Sequence, residues 1–267
     1  MAGAREVNRA ADSVGDNRAV QVGARVGYAV SGLLHLLIGW IALQVAWQSS
    51  GKSADQSGAL QTLAANGLGR FTLWVAVVGF LALGVFQLAN GLAVRPAPGS
   101  SPWIHRAKSI SKGIVYLALA WTCFSFAKGN PSSSKAQSAD FTATLLQKPG
   151  GRLLVAALGL AVIGVGIYHV VKGWTKKFLQ DLAEHPGVFA TRAGEIGYIA
   201  KGFALAVVGI LFVVAAMQNS ASKATGLDGA LRSMRQQPAG SWLLTAVALG
   251  IAAYGVYSFA RARFARV

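Results

Sequence analysis

Polar side chains inside long apolar runs are the residues of this chain that could do chemistry. The histidines among them, His35 and His169, could ligate a b-type haem, because imidazole is a common axial ligand of haem iron. Lys112 and Lys201 could offer positive charge to an anionic ligand. The other polar residues in such runs are Gln44, Gln87, Asn90, Ser125, Lys172 and Tyr254.

Each of these residues also has a purely structural interpretation. A single pair of histidines without a repeated spacing is weak evidence for haem, and both could instead pack against a hydroxyl or carbonyl group. Lys112 and Lys201 each directly precede an aligned glycine. They could either extend to lipid headgroups or converge near a central axis. No Asp or Glu lies deep in an apolar run, so a carboxylate relay is poorly supported.

Sequence motifs for catalysis are missing. The chain contains no P-loop, no dinucleotide-binding glycine fingerprint, no His-Glu-x-x-His and no Gly-x-Ser-x-Gly. Its one cysteine, Cys123, lies in an apolar run, which excludes a disulfide within the chain and a cysteine metal cluster. We therefore predict that the protein is not an enzyme and needs no cofactor.

The composition is that of a membrane protein. Of 267 residues, 54% are hydrophobic and only 13% are charged, whereas soluble domains are about 25% charged. Six apolar runs are each long enough to cross the roughly 30 Å hydrocarbon core of a bilayer. The predicted spans are 25–48, 70–93, 106–127, 151–173, 192–217 and 240–260.

Basic residues predict the orientation of these spans. The chain carries a net charge of +16, and its Lys and Arg residues cluster between the apolar runs. Sixteen of the 25 fall on the side of the two termini and nine on the other side. This excess predicts both termini in the cytoplasm. It also favours anionic lipid headgroups as partners and gives no support for nucleic acid.

Six glycines reveal an internal repeat. Those in the odd-numbered spans recur after 81 and 89 residues, and those in the even-numbered spans, like the glycines that open these spans, recur after 82 and 89. Two anchors with matching spacing indicate three copies of one two-span unit. We expect these glycines at helix contacts, because small residues let helices approach closely in lipid. They are Gly32, Gly84, Gly113, Gly166, Gly202 and Gly255, and we place Gly79, Gly164 and Gly250 on similar faces.

The repeats predict an all-α integral membrane protein with six transmembrane helices and a pseudo-threefold arrangement. Copies with an even number of spans insert in the same orientation, and such parallel repeats are related by an axis along the membrane normal. Each long connection within a copy predicts a short outer interfacial helix. We divide the chain into a polar N-terminal arm at 1–24 and repeats at 25–93, 106–173 and 192–262.

Short elements of the repeat resemble a known family. The first copy has Arg25-x-Gly27-Tyr28-x-x-x-Gly32, and the third has Arg192 followed by Gly197-Tyr198-x-x-Lys201-Gly202. With the Gly-Ala-Leu and Gly-Arg residues of the outer connection, they resemble the actinobacterial membrane family known as domain of unknown function 1206. The middle copy departs, with Ser109 in place of the tyrosine. The resemblance implies a six-span protein of the bacterial plasma membrane, and it supplies no activity that could be carried over.

Three functions are compatible with these observations. The first is a non-enzymatic membrane subunit that associates with itself or with other membrane proteins, as the glycine-rich faces suggest. The second is a small-solute or anion transporter or channel along the pseudo-threefold axis, which would use Lys112 and Lys201. The third, which ranks lowest, is a haem protein that uses His35 and His169.

Overall fold

Nine α-helices build the part of the protein that the structure describes. The structure, a computed structural model, describes residues 18–48, 51–93 and 102–266, and two 3₁₀ turns and one isolated β-bridge complete its regular structure there. Six of the helices are long and apolar enough to span a membrane, which confirms the predicted all-α class. The helices are α1 (Arg18–Trp47), α2 (Gln56–Ala64), α3 (Gly67–Ala93), α4 (Pro102–Ala127), α5 (Ser134–Leu146), α6 (Gly151–Trp174), α7 (Val188–Met217), α8 (Gly226–Arg235) and α9 (Gly240–Phe264).

Several spans are longer than predicted. Helix α1 begins at Arg18, because Gly23 and Ala24 are buried and Gly23 faces Ala82 of α3. The predicted arm at 1–24 therefore overlaps this helix, and its residues 1–17 lie outside the described residues. Helix α9 continues to Phe264, since basic residues in a last turn interact favourably with the helix dipole. We call the end of the bundle where α1 begins the terminal side and the opposite end the loop side.

Glycine pairs join each repeat to the next. At each junction a glycine of an even-numbered span faces a glycine of the following repeat's odd-numbered span, and the third repeat faces the first in the same way. A Cβ on Gly202 would lie 2.5 Å from the carbonyl oxygen of Gly166, so the two backbones are in direct contact. This cyclic pattern is that of a pseudo-threefold bundle. The pairs are Gly32 with Gly255, Gly84 with Gly113, and Gly166 with Gly202.

The other three glycines differ in their surroundings. Gly79 faces Gly27 of α1, and Gly250 faces Ala200 of α7. Gly164 has no atom within 4 Å of the position that a Cβ would take, so its expected place on a contact face is wrong. It lies two residues before Gly166, which turns it about 200° away from the α7 contact at 3.6 residues per turn.

The short helices close the loop side of the bundle. Leu60 of α2 and Leu231 of α8 are fully buried in the same apolar core as residues of α1, α3 and α9. The carboxylate of Asp228 accepts hydrogen bonds from Ala54 N at 2.8 Å and from Arg232 Nε at 3.0 Å. Helix α8 of the third repeat is therefore attached to the first repeat, and α2 and α8 contact protein on their apolar sides.

One position in the bundle breaks the threefold pattern. The two spans of the first repeat, α1 and α3, pack against each other, and so do α7 and α9 of the third. In the described part of the chain, α4 and α6 of the second repeat make no comparable contact. They are also the least buried spans, with 22% and 17% of their most apolar stretch buried. The bundle is therefore open to the side between α4 and α6.

Candidate anion-binding site

Four basic side chains and four tyrosines lie in the terminal half of the bundle. We call this group the basic cluster and define it by its cations, which come from α4, α6, α7 and α9. Its tyrosines come from α1, α4, α7 and α9. The cations are Lys112, Lys172, Lys201 and Arg261, and the tyrosines are Tyr28, Tyr116, Tyr198 and Tyr254.

Lys201 lies inside the bundle and contacts two aromatic rings. Its Nζ is 3.4 Å from His35 Nε2 and 4.2 Å from the centre of the Tyr254 ring. The His35 ring nitrogen Nδ1 is 2.7 Å from the carbonyl oxygen of Ser31, to which it donates, so Nε2 accepts from Lys201. These contacts place the Lys201 ammonium away from the headgroups and among interior side chains, one of the two positions considered from the sequence.

Lys172 is the cation of the cluster that has a carboxylate partner. Its Nζ is 2.6 Å from Asp181 Oδ2 and 5.3 Å from the centre of the Tyr198 ring. Asp181 ends the 3₁₀ turn Lys177–Asp181 outside the spans. Burial acts to raise the pKa of Asp181, but the positive charges of Lys172, Arg261 and Lys112 outweigh it and lower the pKa below its usual value.

Arg261 contacts one tyrosine ring and interacts electrostatically with three further tyrosines. Its Cζ is 4.4 Å from the centre of the Tyr28 ring, and its charge also interacts with Tyr198, Tyr254 and Tyr116. The Nε atom is buried and has no hydrogen-bond partner among the described residues. Because a buried donor without a partner is unfavourable, this guanidinium has unused capacity to bind an acceptor.

Lys112 lies at the open side of the cluster. It is partly buried, and its charge interacts with those of Asp181, Arg261, Lys108 and Lys172. Neither Lys112 nor Lys201 nor Arg261 forms an ion pair with a carboxylate in the part of the chain that the structure describes. The Asp181 carboxylate, already bound to Lys172, interacts with Arg261 and Lys112 only at longer range.

The energetics of these cations indicate a binding role. An isolated charge in the middle of a span costs about 2.5–3.5 kcal/mol on insertion scales. A cation–π contact recovers about 0.5–2 kcal/mol. Lys201 and Arg261 have such ring contacts and Lys112 has none among the described residues, so the charge of Lys112 is the least compensated of the three. A bound anion would supply the missing negative charge.

The repeat shows why the cations of the cluster come from two of the three copies. Lys112 and Lys201 are equivalent to Ser31 of the first repeat. The same alignment makes Lys172 and Arg261 equivalent to each other and to Asn90. The second and third repeats thus supply two cations each, and the first supplies none at these positions.

Arg261 was not among the candidate residues predicted from the sequence. The predicted last span ended at residue 260, one residue short of it, so it was counted with the charges outside the membrane. Its spacing of three residues from Ser258, the same as that of Lys172 from His169, was the signal that could have found it.

The two histidines do not form a ligand pair in this arrangement. His169 Nδ1 is 2.8 Å from the carbonyl oxygen of Val165, and its ring lies 5.7 Å from that of Tyr198. Tyr198 in turn contacts Tyr254, which contacts His35. His35 Nε2 already accepts from Lys201, so the haem interpretation has no free imidazole at this position.

Two further observations bear on ligands. Gln87, the first repeat's equivalent of His169, is buried, but no described contact assigns it to the cluster. Within the described residues, no group of three or more His, Cys, Asp or Glu side chains is placed to hold a metal ion. The candidate site is therefore made of cations, tyrosines and one histidine.

An apolar groove of the described surface lies away from the basic cluster. It has a volume of about 750 Å³ and runs between α1 and α3, next to the close contact of Gly23 and Gly79 with the neighbouring helix. The groove carries almost no polar surface. It is lined by Val22, Gly23, Val26, Trp74, Val75, Val78 and Gly79.

Comparisons with known proteins identify the repeat. A family profile described as Domain of Unknown Function (DUF1206) matches residues 26–93, 107–176 and 196–265, one match for each repeat. The chain is 26% identical over 241 residues to a Bacillus subtilis (strain 168) protein described as uncharacterized protein YxxB. That similarity covers 88% of this chain and 87% of the relative. No solved structure matches the chain.

Proposed function

Because the chain belongs to the DUF1206 family, whose description assigns no activity, we propose from the geometry alone that this membrane-spanning protein binds an anionic group. The binding site is the basic cluster, and the role is recognition without catalysis. The observation that supports this most strongly is the set of three interior cations without a carboxylate of their own, Lys112, Lys201 and Arg261.

The cluster offers the donors that an anion needs. The Arg261 guanidinium can form two parallel hydrogen bonds to a phosphate or carboxylate, and the lysine ammonium groups add charge. The rings of Tyr198 and Tyr254 pack edge-on with 5.1 Å between their centres, beside Lys172 and Lys201. Their phenol groups add polar side chains to the cluster.

We further propose that the cluster lies in the cytoplasmic half of a bacterial plasma membrane. The excess of Lys and Arg is on the terminal side, where the cluster also lies. The basic residues of the terminal side would attract the anionic headgroups of that leaflet.

Transport along the axis has less support. The loop-side half of the bundle is filled by buried apolar side chains, including Ile41, Phe80 and Leu244, and Leu60 and Leu231 close its end. A permeating anion would have to displace this core. Self-association and binding to other membrane subunits stay predictions from the sequence.

A titration with inorganic phosphate tests anion binding. The purified protein in non-ionic detergent should gain thermal stability as phosphate replaces chloride at constant ionic strength, because a ligand that binds only the folded state stabilises it. Lys201→Gln and Arg261→Gln should each weaken the apparent affinity by about tenfold or more, since a hydrogen bond to a charged group is worth about 1.5–3 kcal/mol.

Two variants control this experiment. Lys148→Gln removes an equal charge from an exposed position on the loop side and should leave the phosphate response unchanged. Arg261→Lys keeps the charge and should retain part of the affinity, which separates a binding defect from a folding defect. The same phosphate response in the wild type, Lys201→Gln and Arg261→Gln would contradict the proposal.

A further inference from the structure

The basic cluster is closed toward the water on the terminal side. Phe178, in the connection between the second and third repeats, is fully buried, stacks on Tyr198 at 5.3 Å and meets Tyr257 edge-on at 5.0 Å. The hydroxyl of Tyr257 donates to the carbonyl oxygen of Phe178 at 3.2 Å. This connection therefore lies over the cluster and is fixed to α7 and α9.

Residues that follow α9 bind this connection, which we call the Phe178 cover. Ala183 N donates to Phe264 O at 2.7 Å, and Arg266 Nε donates to Leu182 O at 2.8 Å. Leu182 and Ala265 also form an antiparallel bridge. The residues that follow α9 thus hold the connection against the bundle.

The side of the bundle, in contrast to its terminal end, is not covered by protein. Between α4 and α6 the helices do not pack, and their exposed side chains are mostly apolar, such as Val115 of α4 and Val165 of α6. A contact across this opening is that of Lys108 Nζ with the Tyr168 ring, at 6.0 Å. Hydrocarbon chains of the membrane, rather than water, border such an opening.

The charged groups on both helices that border the opening indicate which kind of ligand it would bind. Helix α4 carries Lys108 and Lys112, and α6 carries Lys172 with its partner Asp181. Arg261 of α9 interacts with Lys112 behind them. A ligand that matches this place needs a negatively charged head at the cluster and apolar chains in the opening.

We propose that an anionic phospholipid enters sideways between α4 and α6 and places its phosphate group among Lys112, Lys201 and Arg261. This inference rests on the proposed anion binding and adds the ligand class and the route. A phospholipid satisfies both halves of the site, whereas a free anion would have to pass the Phe178 cover or cross hydrocarbon.

Lipid retention tests the ligand. The purified protein is mixed with detergent micelles that contain phosphatidylglycerol or phosphatidylcholine, and bound lipid is counted by native mass spectrometry. We expect at least about a tenfold preference for phosphatidylglycerol, which corresponds to about 1.4 kcal/mol. Lys201→Gln and Arg261→Gln should abolish the preference, and Lys148→Gln should keep it.

A cross-link across the opening tests the route. Lys108→Cys and Tyr168→Cys are combined in a Cys123→Ser background and joined by a short bismaleimide. Exchange of bound phosphatidylglycerol should slow by at least about tenfold relative to the same variant before cross-linking, which is a difference of about 1.4 kcal/mol in the barrier. Single-cysteine variants treated with the same reagent should exchange at the unlinked rate.

The outcomes separate this inference from the proposed function. If phosphate binds in a Lys201-dependent way but phosphatidylglycerol is not preferred, the anion site stands and the lipid inference is overturned. If neither binds, both are overturned. Exchange that is unaffected by the cross-link overturns the route. A dimer linked through Lys108→Cys of two copies also overturns it, because a second chain would then cover the opening.

Discussion

A single methyl group tests the contact between α6 and α7. In Gly166→Ala the new Cβ would lie 2.7 Å from the carbonyl oxygen of Gly202 and 2.8 Å from Ala206 N. These are backbone atoms, so the helices must separate, and we expect a loss of about 1–3 kcal/mol. The melting temperature of the purified protein should fall by about 2–4 °C per kcal/mol.

Gly164 on the same helix provides the matched control. Nothing lies within 4 Å of the place where its Cβ would be. Because alanine favours the helix over glycine by about 1 kcal/mol, Gly164→Ala should leave the melting temperature unchanged or raise it. If both variants lose the same stability, the contact between Gly166 and Gly202 is not what holds these helices together.

Asp181 should make the protein sensitive to acid. Its pKa is lowered in the folded state by the nearby cations, although burial opposes this shift. The carboxylate therefore stabilises the fold fully above the pKa of the unfolded group, whose usual value is 3.8, and this stability is lost as the pH falls through the folded pKa.

Thermal unfolding at several pH values measures this effect. Between about pH 6 and pH 2.5, the wild type should lose more stability than Asp181→Asn, which cannot titrate at this position. Asp140→Asn, which removes an exposed carboxylate on the loop side, should follow the wild type. Parallel curves for the wild type and Asp181→Asn would show that the ion pair with Lys172 adds no pH-dependent stability.

Residue types alone predicted part of the candidate site. Lys112, Lys201 and His35 were candidates because charged and polar groups inside apolar runs are rare. Their directions could not be predicted, because a lysine stem can extend to the headgroups as readily as to the interior. Asp181 was missed for another reason: it lies in a connection, and its ion pair with Lys172 depends on how that connection folds back.

At the scale of elements, Asp228 should be the attachment point of α8. Its carboxylate is 3% exposed and holds both Ala54 N and Arg232 Nε. Asp228→Asn keeps one acceptor oxygen but removes the charge, and we expect increased hydrogen–deuterium exchange in residues 51–64 of the first repeat. Charge-assisted hydrogen bonds are the stronger ones, which gives an expected loss of about 1–3 kcal/mol.

Asp140 of α5 is the counterpart for this measurement. It belongs to the equivalent short helix of the second repeat and is exposed. Asp140→Asn should leave exchange in residues 51–64 at the wild-type rate. Unchanged exchange in Asp228→Asn would mean that α8 is held by its apolar residues, such as Leu231, without this carboxylate.

Hydropathy predicted the positions of the helices well, but it did not predict what their apolar faces pack against. Long apolar runs and their repeated glycines sufficed to locate six spans, because a span needs about 20 apolar residues. The short helices were predicted from the long connections within each copy. The length of a connection does not give the partner of its helix, and the structure buries Leu60 and Leu231 in the protein core.

For the whole molecule, the repeat predicts that the long connections share one side of the membrane. In a Cys123→Ser background, Lys148→Cys places a thiol in an exposed loop-side position, and Lys177→Cys places one on the terminal side. A membrane-impermeant maleimide applied to intact cells should label the first variant. It should label the second only after permeabilisation, and the reverse pattern would invert the proposed orientation.

The threefold arrangement followed from the sequence, but its open position did not. Two anchors at matching spacings were enough to infer three parallel copies. All three copies have similarly apolar spans, so hydropathy does not show that α4 and α6 lie apart in the bundle. The opening depends on how side chains of the second repeat meet across the bundle, which a pattern of residue types does not contain.

The glycine contact between the third repeat and the first has a consequence for the order of the chain. Since that junction repeats the geometry of the other two, a circular permutant that starts with the second repeat and ends with the first would assemble the same bundle. The protein is equivalent to three small hairpin subunits fused into one polypeptide. Fusion allows each third to diverge, so the two helices of one third can stay apart and another third can lack charges at these positions. No homotrimer of identical hairpins could achieve this asymmetry.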